Sequence, residues 1–219
     1  MRTLLFIAVA SATLAAAPVP KDFEPTFADR YGAANPIGKN CRVVSKRNKL
    51  DIAITSGSLY GFDEGGNLLM PHVAKEVAGD FTLTVWIEPG ELPEHGRFEK
   101  AHYETGVYLR SGADVSFQLA VQHRRSHVQC QTVGVYSIRK PGSGVSGCDD
   151  SHFDRPCVHT RMERKGELVT VAVLTVKGQW EVVKAERLPL KKSVQVGLYV
   201  SSSGKPFGAT FSDYDVKAK

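Results

Sequence analysis

The residues of this chain that could do chemistry fall into a few small clusters. Asp213-Tyr214-Asp215 sets two carboxylates two residues apart, a spacing that suits an acid and a nucleophile on one side of a strand. His123 and His127 would share one face of a helix and could chelate a metal, but the sequence around them reads as a strand end and a loop, which leaves them solvated. Asp149-Asp150-Ser151-His152-Phe153-Asp154 offers hard oxygen donors of the kind calcium takes. It lacks the glycine-centred spacing of a known calcium loop and reads as an acidic solvated turn, so no cofactor is expected. No Gly-rich phosphate loop and no serine nucleophile elbow occur.

A different kind of chemistry is carried by Trp86, Tyr108, Arg110, Gln118, Gln122 and Tyr199. Each falls on the polar side of an alternating run. Aromatic rings among amides and charges suit a sugar, whose apolar ring faces stack while its hydroxyls take hydrogen bonds. The competing reading is that the same aromatics pack beneath long loops. One sequence does not say which strands lie side by side.

The elements that must position these residues are strands. Lys49–Thr55, Asp80–Glu88, Val115–Gln122, Leu168–Val176 and Val194–Val200 alternate with period two. Glu64-Gly65-Gly66-Asn67, Ser111-Gly112-Ala113-Asp114, Arg164-Lys165-Gly166-Glu167 and Lys177-Gly178-Gln179 supply turns, and no segment shows a capped amphipathic helix. So many antiparallel strands must stack as two sheets or close as a barrel. The alternation sends Phe81, Leu83, Val85 and Ile87 to the core, with Trp86 outward. It buries Val107 and Leu109 beneath Tyr108, and Val115, Phe117, Leu119 and Val121 beneath Gln118 and Gln122.

Met1-Arg2-Thr3 followed by the apolar run Leu4–Leu14 and Ala15-Ala16-Ala17 has the order of a signal peptide, too short to span a bilayer. Residues 1–17 are therefore expected to be a leader and the mature chain to be secreted or periplasmic. Residues 18–40, rich in proline and glycine, read as an arm on the domain edge, and residues 41–217 as one all-β domain. The net charge of +5 falls by one when Arg2 leaves, and its cations are scattered, which gives little support to nucleic-acid binding. No later stretch is apolar enough for membrane insertion. Cys41, Cys130, Cys148 and Cys157 are even in number and fit an oxidising compartment. Three pairings are open. Cys148 with Cys157, closing the Gly- and Asp-rich loop, and Cys41 with Cys130, joining two strands, is the favoured one; a loop that short contributes roughly 2–3 kcal/mol.

Several motifs together resemble the concanavalin A-like lectin/glucanase superfamily. They are Asn48–Ile54, Met70–Val85 with its Gly79-Asp80-Phe81, Thr105–Leu109, Val196–Val200, and Ala209–Val216. Within it the chain is most similar to secreted domains of unknown function of the regulation-of-enolase-like or laminin-G-like kind, over roughly Cys41 to Val216. The resemblance implies a two-sheet antiparallel β-sandwich of jelly-roll type, with a concave sheet face and its rim as the ligand site. Trp86, Tyr108, Gln118, Gln122 and Tyr199 are the residues it would place there. The Glu-x-Asp-x-x-Glu strand of the family's glucanases is missing, and Asp213 and Asp215 fall in the closing strand motif, where a structural role is expected. Gln122-His123-Arg124-Arg125 echoes the Gln-x-His and arginine strands of alginate-type lyases, with Gln and His adjacent rather than separated. Arg139–Cys157 departs from the family as an added loop. The expectation is a non-catalytic extracytoplasmic domain binding a glycan or cell-surface polymer. The alternatives are a hydrolase or lyase of the same fold, or a module for a protein partner that the sequence does not identify.

Overall fold

The computed structural model describes residues 27–35, 39–59, 69–90, 102–125, 130–141, 143–146, 151–153 and 158–219, with the backbone alone at 58–59, 102, 119–125, 130–137, 143–146 and 151–153. The leader 1–17, His127, Cys148, Cys157 and the loop carboxylates Asp149, Asp150 and Asp154 lie outside the described residues.

A five-residue helix α1 (Phe27–Tyr31) comes first, followed by strands β1 (Ala33–Asn35), β2 (Cys41–Lys46), β3 (Lys49–Ile54), β4 (Ser58–Leu59), β5 (His72–Ala78) and β6 (Phe81–Pro89). Then come β7 (His102–Arg110), β8 (Ser116–Arg125), β9 (Cys130–Lys140), β10 (Ser143–Ser146) and β11 (Ser151–Phe153). The rest are β12 (Val158–Lys165), β13 (Leu168–Leu174), β14 (Trp180–Arg187), β15 (Ser193–Ser203) and β16 (Phe207–Ala218). They form two antiparallel sheets. The larger has nine strands, ordered β1-β5-β15-β7-β8-β9-β10 with β4 on β15 and β11 on β9; the smaller has seven, ordered β14-β13-β12-β6-β16-β3-β2. The chain is thus an all-β sandwich. Among the described residues no helix is long and apolar enough to cross a membrane.

Period-two patterning builds the core between the sheets. On β6 the side chains of Phe81, Leu83, Val85 and Ile87 are buried, while Thr82, Thr84 and Trp86 on the other side are half-buried. From the larger sheet Val73, Val107, Leu109, Phe117, Val196, Leu198 and Val200 meet them. The β12–β13 hairpin turns at Gly166, whose φ of 60° is open to glycine at little steric cost. At the margin, α1 inserts Tyr31 against the core, its ring stacked on Tyr214 at 5.4 Å. Next to it β1 extends the larger sheet by pairing with β5. Residues 27–35 thus line the sandwich edge.

Cys41 starts an edge strand of the smaller sheet and packs partly against the core; Cys130 starts β9 in the larger sheet. Local geometry sets the carboxylate pair. Register shifts between Ser212 and Asp215, and Asp213 sits there in a left-handed conformation with φ of 52°. The bulge changes the phase of the strand after Phe211, so Asp213 and Asp215 lie exposed on either side of the buried Tyr214. Asp215 pairs with Lys217 at 3.0 Å.

Candidate functional site

Six residues are named above as a single ligand face; the sandwich divides them. Tyr108, Arg110, Gln118, Gln122 and Tyr199 belong to the larger sheet, and Trp86 belongs to β6 in the smaller one. Leaving aside Gln122, whose backbone alone is described, they are on the sides of their strands away from the core, which are opposite faces of the sandwich. Trp86 therefore does not join the others. The reason is that period two tells which way a side chain points relative to the core, not which sheet carries it.

On the larger sheet, register assembles a compact cluster. Tyr108 lies opposite Gln118 on β8 and opposite Gly197 on β15, and Tyr199 lies opposite His72 on β5. The Tyr108 ring leans across Gly197, where an added Cβ would come within 2.8 Å of its Cε1. It meets the His72 ring edge-on at 5.6 Å and the Tyr199 ring at 6.4 Å. Arg110 donates from Nε to the Gly112 carbonyl at 2.9 Å, which fixes its stem beside the rings. Gln122 pairs with Glu104 in backbone register, and its side chain lies outside the described residues.

This face is not the solvated surface that the alternation implies. Tyr108 is 2% exposed, Tyr199 0% and Gln118 6%. Among the described residues, Tyr108 Oη, Gln118 Nε2 and Ser201 Oγ are buried with no hydrogen-bond partner. A buried polar group left unpaired costs about 1–3 kcal/mol. These three share the outer face of one sheet, whereas Tyr31, Thr105, Thr160 and Tyr214, also unpaired, are on the core side.

The protonation states suit neutral donors around one cation. Burial pushes the Tyr108 phenol well above its ordinary range, so it keeps its proton and donates. Burial pushes the His72 imidazole below its ordinary value, with the nearby Arg110 charge acting in the same direction and the Met70 carbonyl bond opposing both. The neutral ring donates from Nδ1 to Met70 O at 2.8 Å, which leaves Nε2 to accept from Asn35 Nδ2 at 3.4 Å. Because the folded state binds fewer protons at His72 than the unfolded chain, stability held above pH 6.5 is lost as the pH falls through that value. His159 acts with the same sign. Urea unfolding from about pH 7 to about pH 5 is expected to show this decline, with a shallower slope in His72→Gln. An unchanged slope would place the proton uptake elsewhere.

His72, Ser201, Gly197 and Asn35 were not singled out by sequence reasoning. Their signal is positional: His72 falls opposite Tyr199 once β5 and β15 are neighbours, Gly197 opposite Tyr108 and Ser201 opposite Glu104 once β15 and β7 are, and Asn35 opposite His72 through β1. Among the described residues no three His, Cys, Asp or Glu converge as metal ligands, and the His123 side chain lies outside the description.

No protein-family model matches the chain, and no curated protein matches it by sequence. By shape it is similar to several solved structures. A functionally unknown protein from Saccharomyces cerevisiae aligns with a TM-score of 0.64 at 13% identity, over 85% of this chain and 96% of that one. The GH43 protein BlXynB from Bacillus licheniformis gives 0.55 at 8% identity, over 83% of this chain and 40% of that one. An alginate lyase from Klebsiella pneumoniae gives 0.52 at 9% identity, over 80% and 83%. At such identities the likeness speaks for the fold alone, a two-sheet sandwich consistent with the concanavalin A-like architecture.

Proposed function

We propose that this chain is an exported, non-catalytic glycan-binding sandwich of the regulation-of-enolase-like or laminin-G-like kind, whose ligand lies on the outer face of the larger sheet. The observation that carries the reading is the set of buried, unpaired donors at Tyr108, Gln118 and Ser201. A saccharide meets such a set well, because its hydroxyl and ring oxygens accept hydrogen bonds while its C–H faces lie on aromatic rings. Arg110 adds a charged donor at the rim. That an alginate lyase shares the fold supports glycans as the ligand class.

The test is binding on a glycan array by the wild type, Gln118→Ala and Arg110→Ala. A wild-type signal that falls about tenfold in each variant is expected, since a hydrogen bond to a ligand is worth about 1–2 kcal/mol. Wild-type binding to no glycan would sink the reading.

A lyase is the second reading, favoured by one contact: the neutral His72 ring edge-on to Tyr108 at 5.6 Å, with Arg110 close to both. Arg110 and Gln118 would neutralise a uronate carboxylate. A base would then take the proton α to that carboxylate, the C–O bond at the β carbon would break, and Tyr108 would protonate the departing oxygen. Ultraviolet absorbance of the new conjugated double bond, lost in Tyr108→Phe, would replace the first reading with this one.

A further inference from the structure

Both tryptophans of the chain sit on the face that the larger sheet does not reach. On the outer surface of the smaller sheet, Trp86 lies opposite His159, and Arg161 lies two residues further along β12, opposite Thr84 and Ala172. Trp180, on the edge strand β14, leans inward over β13. Its ring centroid is 5.3 Å from that of His159, which in turn is 6.0 Å from Trp86. The Arg161 guanidinium carbon stands 4.6 Å from the centre of the Trp180 ring. These four side chains are half-buried, and beyond them Val182 and Val176 remain 55% and 66% exposed.

The charges on this face are unequal in their satisfaction. Asp215 is paired with Lys217, Glu163 accepts from Thr82 and lies 3.9 Å from Lys219, and the exposed Asp213 acts by its charge on His159. Arg161 has no carboxylate or carbonyl partner among the described residues, and its guanidinium lies over the Trp180 indole. Stacking fixes the guanidinium plane while leaving its N–H groups pointing out of the stack, where they can take a carboxylate in two parallel hydrogen bonds. The flanking indoles, held apart by His159, offer apolar faces on either side. A pyranose bearing a carboxylate satisfies both demands at once: C–H faces for the rings and an anion for the arginine.

We propose that the outer face of the smaller sheet is a second binding surface, specific for acidic glycan chains, with Trp86 and Trp180 as stacking platforms and Arg161 as the carboxylate clamp. It rests on the glycan reading only for the class of ligand, because its residues are on the opposite surface from Tyr108 and Gln118. Two such surfaces on one chain would let it bridge two polymer strands.

The experiment exploits the fact that both indoles are here, so intrinsic tryptophan fluorescence reports this face. Oligogalacturonate is titrated into the wild type, Arg161→Met, Trp180→Ala and Gln118→Ala, with neutral cello-oligosaccharides as the comparison. Expected is a change in emission with oligogalacturonate that weakens as salt rises, with the affinity read from the indoles reduced tenfold or more in Arg161→Met and Trp180→Ala; the Gln118→Ala substitution, on the opposite surface, leaves that indole-reported affinity in place whatever it does to binding at the larger sheet. Equal affinity of wild type and Arg161→Met overturns the proposal. Loss confined to Gln118→Ala also overturns it while leaving the larger-sheet site standing. Concentration-dependent self-association abolished by Trp180→Ala, without any response to oligogalacturonate, overturns it in favour of a protein contact.

Discussion

Gly197→Ala is expected to lower folding stability by about 3 kcal/mol or more, measured by urea denaturation. At this position an added Cβ would fall on the backbone carbonyl oxygen of Val73 in the neighbouring strand, and also within 2.8 Å of Tyr108 Cε1. A ring can swing away. A backbone oxygen in a central pairing cannot, because β15 is hydrogen-bonded to β5 on one side and β7 on the other. The strands must therefore part locally, at the cost of ladder bonds and of the packing of Val73, Val196 and Leu198 beneath them. The effect should extend to ligand binding, because Tyr108 uses the same space. A loss below about 1 kcal/mol would show that the close approach of β15 to β5 is wrong.

Arg164→Met is expected to cost about 2–3 kcal/mol, while Arg161→Met, three residues earlier on the same strand, should cost no more than about 0.5 kcal/mol. Arg164 is buried at the end of β12 and has no carboxylate partner among the described residues. It donates instead to three carbonyls, those of Gly166 at 2.9 Å, Lys191 at 2.8 Å and Lys192 at 3.3 Å. One side chain thus ties the β12–β13 turn to the segment leading into β15. Removing it leaves those acceptors to whatever water can reach them. Part of the loss is offset, since a buried guanidinium no longer has to be desolvated, and this keeps the expected figure below the sum of three charge-assisted bonds. Arg161 points the other way and bonds to no carbonyl among the described residues. Equal costs for the two variants would mean that the facing of β12 is inverted.

The contrast between these two arginines also shows what could be read from the residues alone. The alternation Val158, Thr160, Met162 against His159, Arg161, Glu163 does carry the two faces of β12. The strand is hard to see because its buried side holds a threonine and an arginine beside only two apolar residues. β14 was hidden for another reason: register shifts between Val171 and Ala172 on its partner, so Trp180, Val182 and Ala185 do not keep one phase against β13. Where alternation was clean, as in Phe81–Ile87 and Val194–Val200, both the strand and its buried side followed from side-chain period.

The site was less legible than the fold. That Tyr108, Gln118 and Tyr199 point away from the core could be deduced from Val107, Leu109 and Phe117. That they would be buried there, with His72 and Gly197 beside them, depends on strand order, and strand order is set by contacts between segments more than a hundred residues apart in some cases, such as Gln195 with Glu76. Strand order also separates Trp86 from them, on the smaller sheet. Its neighbours are His159 and Ser212, brought together by strands that no local pattern links.

The arrangement of β15 and β16 bears on when this chain can fold. Each is an interior strand of its sheet, β15 between β5 and β7, β16 between β6 and β3. Strands made early therefore have no partner for their inner hydrogen bonds until residues 193–218 have been synthesised. A nascent polypeptide of this topology stays open until that segment has been made, with loop closure deferred rather than stepwise. Until then its apolar strands lack their cover, and chaperone binding is what would keep them from premature association.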